Sequence, residues 1–142
     1  MDKEYYASEK EIMSVLKRAY KKFLVNDAYL LQVEGNERAM THKYAEYLQQ
    51  EFPSWHVDCE YNRLGDDIKR VDLHNGDDRV IPDIIVHRRG TSNNLIVIEA
   101  KKLGRLTTQD EYKLKAYLEQ LNYKYAFLVT FTSDKNNFLR KI

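Results

Sequence analysis

Residues 81–101 read IPDIIVHRRGTSNNLIVIEAK, from Ile81 to Lys101. Two apolar runs, Ile81 to His87 and Leu95 to Lys101, flank a polar turn at Arg89 to Asn94. Both runs are rich in Ile and Val, so each is read as a buried strand. The first contains Asp83, and the second ends in Glu99 and Lys101. Strands avoid such groups, because a charge taken out of water is costly unless it finds a partner. Side chains alternate along a strand, so Glu99 and Lys101 share one face and Lys102 points to the other.

The short turn makes the two strands neighbours, which brings Asp83 towards Glu99. Regular pairing across an even-length turn places Asp83 opposite Ala100, so one bulge or a strand offset is needed to aim both carboxylates at one point. Two carboxylates that close repel each other unless a cation lies between them. Oxygen ligands of this kind suit Mg²⁺ or Mn²⁺ rather than zinc. Lys101, beside that cation, would hold or polarise a water and stabilise negative charge on a phosphoryl group.

Upstream, Asn36 to Phe52 reads as a helix, with Asn36 as its N-cap and Pro53 as its stop. With about 100° per residue and Glu37 at the origin, Tyr44 and Leu48 fall within about 20°, Met40 and Phe52 within about 60°, and His42 about 140° away. Glu37 thus sits on the inward apolar stripe and needs a partner, while His42 is expected in solvent. A carboxylate in the first turn also complements the helix dipole, its purely structural role.

An earlier helix spans about Ser8 to Leu24, where Ile12, Val15, Leu16, Ala19, Tyr20 and Phe23 recur at three and four residues. Ser8 and Glu11 have capping-box spacing. Lys17, Arg18, Lys21 and Lys22 lie on its polar side: a solvated face by default, a phosphate-contacting face as the alternative. Trp55 to Tyr61 reads as a strand, 64–80 as an irregular excursion or hairpin, Thr107 or Thr108 as the cap of a helix to about Leu121, and Tyr125 to Thr132 as a last strand. The order α-α-β-β-β-α-β describes a mixed sheet flanked by helices, in a single domain of residues 1–142.

The 142 residues suffice for one core. Net charge is +1, less basic than a protein that coats nucleic acid, so any such contact is local. Cys59 is the one cysteine, which rules out an intrachain disulfide. No apolar run approaches the roughly 20 residues of a membrane span, and no signal peptide is evident. A cytoplasmic protein without membrane contact is expected. His56, His74 and His87 lack metal-ligand spacing; His87 shares the alternation of Asp83 and is a candidate cleft residue. Asp66-Asp67 and Asp77-Asp78 read as solvated acidic loops, no glycine-rich phosphate loop is present, and nucleophile-elbow patterns are absent.

A helix with Glu37, a strand with Pro82-Asp83 and a strand with Glu99-Ala100-Lys101 resemble the PD-(D/E)XK nuclease superfamily. Glu60-Tyr61-Asn62-Arg63 resembles a segment of its small stand-alone bacterial members. The resemblance implies an α/β fold with the restriction-endonuclease-like αβββαβ core over about residues 36–132. That core has a central mixed four-stranded sheet flanked by helices, with the helix at 8–24 as an extra.

It further implies Mg²⁺- or Mn²⁺-dependent cleavage of phosphodiester bonds, with DNA as the expected substrate and an endonuclease as the expected type. Asp83, Glu99 and the Ala100 carbonyl would ligate the metal, Lys101 would orient the attacking water, and Glu37 would hold a second metal or a metal-bound water. Lys102, Arg105, Lys113 and Lys115 are the candidates for phosphate contact, with Gln109 also in reach of the cleft. No DNA-reading domain is recognisable, which favours a homodimer or a partner protein. The rival reading is a non-catalytic module that holds nucleic acid or protein on a nuclease fold.

Overall fold

The structure, a computed structural model, describes residues 8–33, 36–61, 63–64, 67–68, 71, 80–105 and 107–142. Asn75-Gly76 and the pair Asp77-Asp78 lie outside the described residues, as do His74 and Asp66. Helix α1 (Glu9–Asp27) starts at Ser8, whose hydroxyl accepts the Glu11 N–H at 3.2 Å. A 3-10 turn (Ala28–Gln32) leads to α2 (Glu37–Glu51). Asn36 stands at the N-cap of α2 but makes no side-chain capping bond.

The strands are β1 (His56–Cys59), β2 (Arg63–Leu64), β3 (Asp67–Ile68), β4 (Ile84–His87), β5 (Asn94–Lys102), β6 (Tyr125–Phe131) and β7 (Leu139–Lys141), with α3 (Thr108–Gln120) between β5 and β6. β2 and β3 form a small antiparallel hairpin of their own. The main sheet has five strands in the order β1-β4-β5-β6-β7, all neighbours antiparallel except β5 and β6. The expected four-stranded sheet therefore gains an edge strand, β7, and the fold continues beyond residue 132. Leu139-Arg140-Lys141 has too few apolar residues to show strand periodicity; its exposed Arg140 and Lys141 suit an edge that must resist pairing with other chains.

β5 is the central strand, and residues 94–100 are all buried. Alternation divides it between two cores. Ile96, Ile98 and Ala100, with Ile84, Val86, Phe127 and Val129, pack under α1 and α2. Ile12, Leu16, Tyr20 and Phe23 from α1 and Met40, Tyr44, Leu48 and Phe52 from α2 meet them. Val97, with Ile85, Ala126 and Leu128, packs under Leu114, Tyr117 and Leu121 of α3 and its end. Each fully buried aliphatic or aromatic side chain contributes about 1.5–3 kcal/mol. Among the described residues no helix is long and apolar enough to cross a membrane.

Candidate active site

The strand register decides where the acids lie. His87 pairs with Asn94, but Val86 pairs with Ile96, so one extra residue enters β5 between these pairs. Continuing the His87–Asn94 register would set Asp83 opposite Ile98, on the α1/α2 face. The shift moves every later pair by one, to Ile84 with Ile98, and brings Asp83 level with Glu99. The bulge thus puts both acids on the α3 side of the sheet.

The two residues clasp each other. Asp83 Oδ2 accepts the Ala100 N–H at 2.8 Å, and the Asp83 N–H donates to Glu99 Oε2 at 3.4 Å. Glu99 is 2% exposed, and among the described residues its ion pair is with Lys113 of α3, whose Nζ lies 3.4 Å from Oε1. Burial, then the charge of Asp83, raises the Glu99 pKa to about 8, although Lys113 pulls it back. Burial likewise raises the Asp83 pKa, offset by the Ala100 N–H and by the charges of Lys101 and Lys113.

Lys101 points to the same face and lies 3.8 Å from Asp110 Oδ1. Asp110 is buried and completes the α3 capping box, its Oδ2 accepting the Thr107 N–H at 2.9 Å while Thr107 Oγ1 accepts the Asp110 N–H. The helix cap therefore fixes the partner of Lys101. Tyr117, one turn beyond Lys113, is wholly buried, and its hydroxyl finds no hydrogen-bond partner among the described residues. Its pKa is raised by burial first, then by Glu99 and Asp83, which places the orphan hydroxyl in the field of the two acids.

Glu37 reaches the site from the opposite layer. Its Oε2 accepts the Lys102 N–H at 2.9 Å, tying α2 to the end of β5. A cleft of about 590 Å³ opens here, lined by Glu37, Arg38, His42, Glu60, Asp83 and Ala100 among others. Glu99 is not among its lining residues. His42 is exposed, as expected, yet stands at the rim. Arg38 reaches Glu60 at 3.3 Å. His87 is a correction: it is buried against Asp58, with Nε2 2.7 Å from Oδ2, and does not line the cleft. Arg89 holds the same carboxylate, which keeps the Asp58 pKa low despite burial.

Arg105, Gln109 and Lys115 are exposed, and Lys102 is half-buried, with its main chain engaged by Glu37. Lys113 is the one candidate phosphate contact of α3 that turns inward. Asp110, and the inward turn of Lys113 towards Glu99, escaped the sequence reading, but a signal existed. With Tyr117 at the origin, Asp110 falls within about 20° and Lys113 within about 40° on the helix.

A family model of the PD-(D/E)XK nuclease superfamily matches residues 66–142, which hold Asp83, Glu99, Lys101 and all of α3. The chain belongs to the PD-(D/E)XK nuclease superfamily. Its mixed sheet flanked by helices is consistent with that superfamily's fold, with α1 as an N-terminal addition. Glu37 lies outside the matched residues. No curated protein and no solved structure matches the chain.

PD-(D/E)XK nucleases generally use divalent metal ions. Among the described residues no three His, Cys, Asp or Glu side chains converge as a metal-ligand group. Asp83 and Glu99 do converge, and both protonate more readily than ordinary carboxyls, chiefly because they are buried and, for Glu99, because the charge of Asp83 is near. Their hard oxygen donors suit a Mg²⁺-like ion, with remaining positions left to water or substrate.

Proposed function

We propose that this PD-(D/E)XK protein is a metal-dependent endonuclease that hydrolyses phosphodiester bonds, with DNA as the substrate. The observation that carries the reading is the bulge-set pair Asp83 and Glu99, both raised in pKa, with Lys101 on the same face. Asp83, Glu99 and the Ala100 carbonyl would hold Mg²⁺ or Mn²⁺. When bound, the ion supplies Lewis-acid polarisation of the phosphoryl oxygen and a more acidic water.

The remaining work falls to the chain. Lys101, steadied by Asp110, orients the attacking water and meets the negative charge that develops on phosphorus. Glu37 braces the end of β5 through Lys102 and offers a carboxylate at the cleft for a second ion or its water. Lys102, Arg105, Gln109 and Lys115 lie after or beside the motif, where phosphates of the bound strand would pass. Lys113 neutralises Glu99 until an ion arrives. Hydrolysis leaves a 5′-phosphate and a 3′-hydroxyl. A homodimer or a partner protein would extend the contact with substrate, and the cytoplasm is the proposed compartment.

One observation favours a second reading, a non-catalytic binding module. Lys113 already supplies a cation to Glu99, which is buried and does not line the cleft. The deciding experiment incubates the protein with single-stranded, duplex and branched DNA and with RNA, in Mg²⁺, Mn²⁺ or EDTA. Cleavage that needs metal and vanishes in Asp83→Asn supports the nuclease. Binding without cleavage in either metal, unchanged by Asp83→Asn, supports the module.

A further inference from the structure

A second concave surface lies on the same end of the sheet as the cleft. β6 runs parallel to β5, with Phe131 paired to Lys102, so the segment after β6 emerges beside the end of β5. That segment is pinned to α1. The Tyr20 hydroxyl donates to the Thr132 carbonyl and accepts the Thr132 N–H at 2.8 Å, and the Tyr20 ring stacks on Phe138 at 3.9 Å. Asp134 accepts the Asn136 N–H and the Asn137 amide, so its charge is engaged within the turn. The turn therefore carries Lys135 beside α1.

Ser14, Lys17, Arg18 and Lys21 of α1 face Lys135 and Asn136 across a groove of about 330 Å³. Arg18 is held by Glu51 at 2.8 Å, and Lys22, four residues on, also bonds to Glu51 and Gln50. Lys17, Lys21 and Lys135 are exposed and have no ion pair with an acid among the described residues. Lys17 and Lys21 stand four residues apart, where like charges cost a few tenths of a kcal/mol, so an anion between them and Lys135 would relieve repulsion. A depression of about 430 Å³ includes Lys102, Thr132 and Ser133. Glu37 of the cleft accepts the N–H of Lys102, Lys102 shares the depression with Ser133, and Ser133 is two residues before Lys135 of the groove.

We propose that Lys17, Lys21 and Lys135 form a phosphate track that holds the flank of the nucleic acid whose scissile bond enters the cleft. The proposal rests on the nuclease reading, and its test is read by binding rather than by cleavage. Fluorescence anisotropy would follow a labelled DNA duplex of two helical turns, and a single-stranded RNA, with the whole chain in EDTA between roughly 50 and 200 mM salt. Lys17→Gln/Lys21→Gln/Lys135→Gln is expected to weaken binding and to flatten the plot of log affinity against log salt by about 2–3, at about 0.9 per lost phosphate contact on a duplex. Turnover of thymidine 5′-(4-nitrophenyl phosphate), too short to reach the groove, should stay at the wild-type rate. If the triple variant melts early, Lys21→Gln and Lys135→Gln singly should each lower the slope by about 1. Wild-type binding that the substitutions leave unchanged in strength and slope overturns the track and leaves the nuclease reading standing. A wild-type protein that binds neither probe overturns both.

Discussion

Replacing Glu99 with Gln removes the charge and keeps the shape, so it isolates the strain of the metal-free site. Glu99 titrates at about 8 in the fold against 4.5 when unperturbed. Its folded pKa is raised, so the stability it contributes is complete below about pH 4.5 and is lost as pH climbs through 8. Each unit of separation corresponds to about 1.4 kcal/mol, so the wild type forfeits about 3 kcal/mol by pH 7 and about 5 kcal/mol by pH 9. Glu99→Gln does not titrate. In EDTA it should match the wild type near pH 4.5 and become progressively more stable towards pH 8, with no further gain above. Urea denaturation at a series of pH values measures this directly. Mg²⁺ at one hundred times its dissociation constant should restore about 2.7 kcal/mol to the wild type at pH 8 and nothing to the variant. A difference that does not vary with pH would refute the reasoning, as would a variant less stable at pH 8. Either would mean that the Lys113 ion pair outweighs burial and the charge of Asp83.

Asp83→Asn should abolish metal-dependent cleavage, leave the melting temperature in EDTA equal or higher, and remove stabilisation by Mg²⁺; a large loss of apo stability would make Asp83 a structural residue. Lys101→Ala should cut the single-turnover rate strongly with little change in binding in Ca²⁺, and Lys101→Arg should not rescue it, because a planar fork replaces a compact ammonium. Lys102→Ala should leave that rate nearly unchanged, since Lys102 faces the other way; equal effects would mean the assigned lysine is wrong. Asp110→Asn should slow cleavage beyond its effect on stability, whereas Thr107→Ala, which weakens the same helix cap by about 1 kcal/mol, should leave the rate intact; parallel losses in both would reduce Asp110 to a capping residue.

The elements themselves were legible in local sequence. α1 was readable because Ile12, Leu16, Ala19, Tyr20 and Phe23 recur with helical period, and all five are buried. β5 was readable because an unbroken apolar run can be hidden on both faces only at the centre of a sheet. The acids stood out because Asp83 and Glu99 interrupt such runs, and the superfamily was named from those same residues. These are properties of neighbours along the chain, which period and cost of burial expose directly.

What the chain does across space was decided by tertiary structure. The sequence showed that Asp83 and Glu99 need a bulge or an offset to meet, but not which one, because register is set by how two faces pack at once. The bulge beside His87 is where His87 turns to Asp58 and the strands gain their one-residue shift. Lys113 reads as a phosphate contact and Asp110 carries no reading until α3 lies over β5; then burial makes each find a partner, and the partners available are Glu99 and Lys101. β7 left little trace because an edge strand of Leu139-Arg140-Lys141 is held by its backbone bonds to β6, and backbone bonding carries no residue signature.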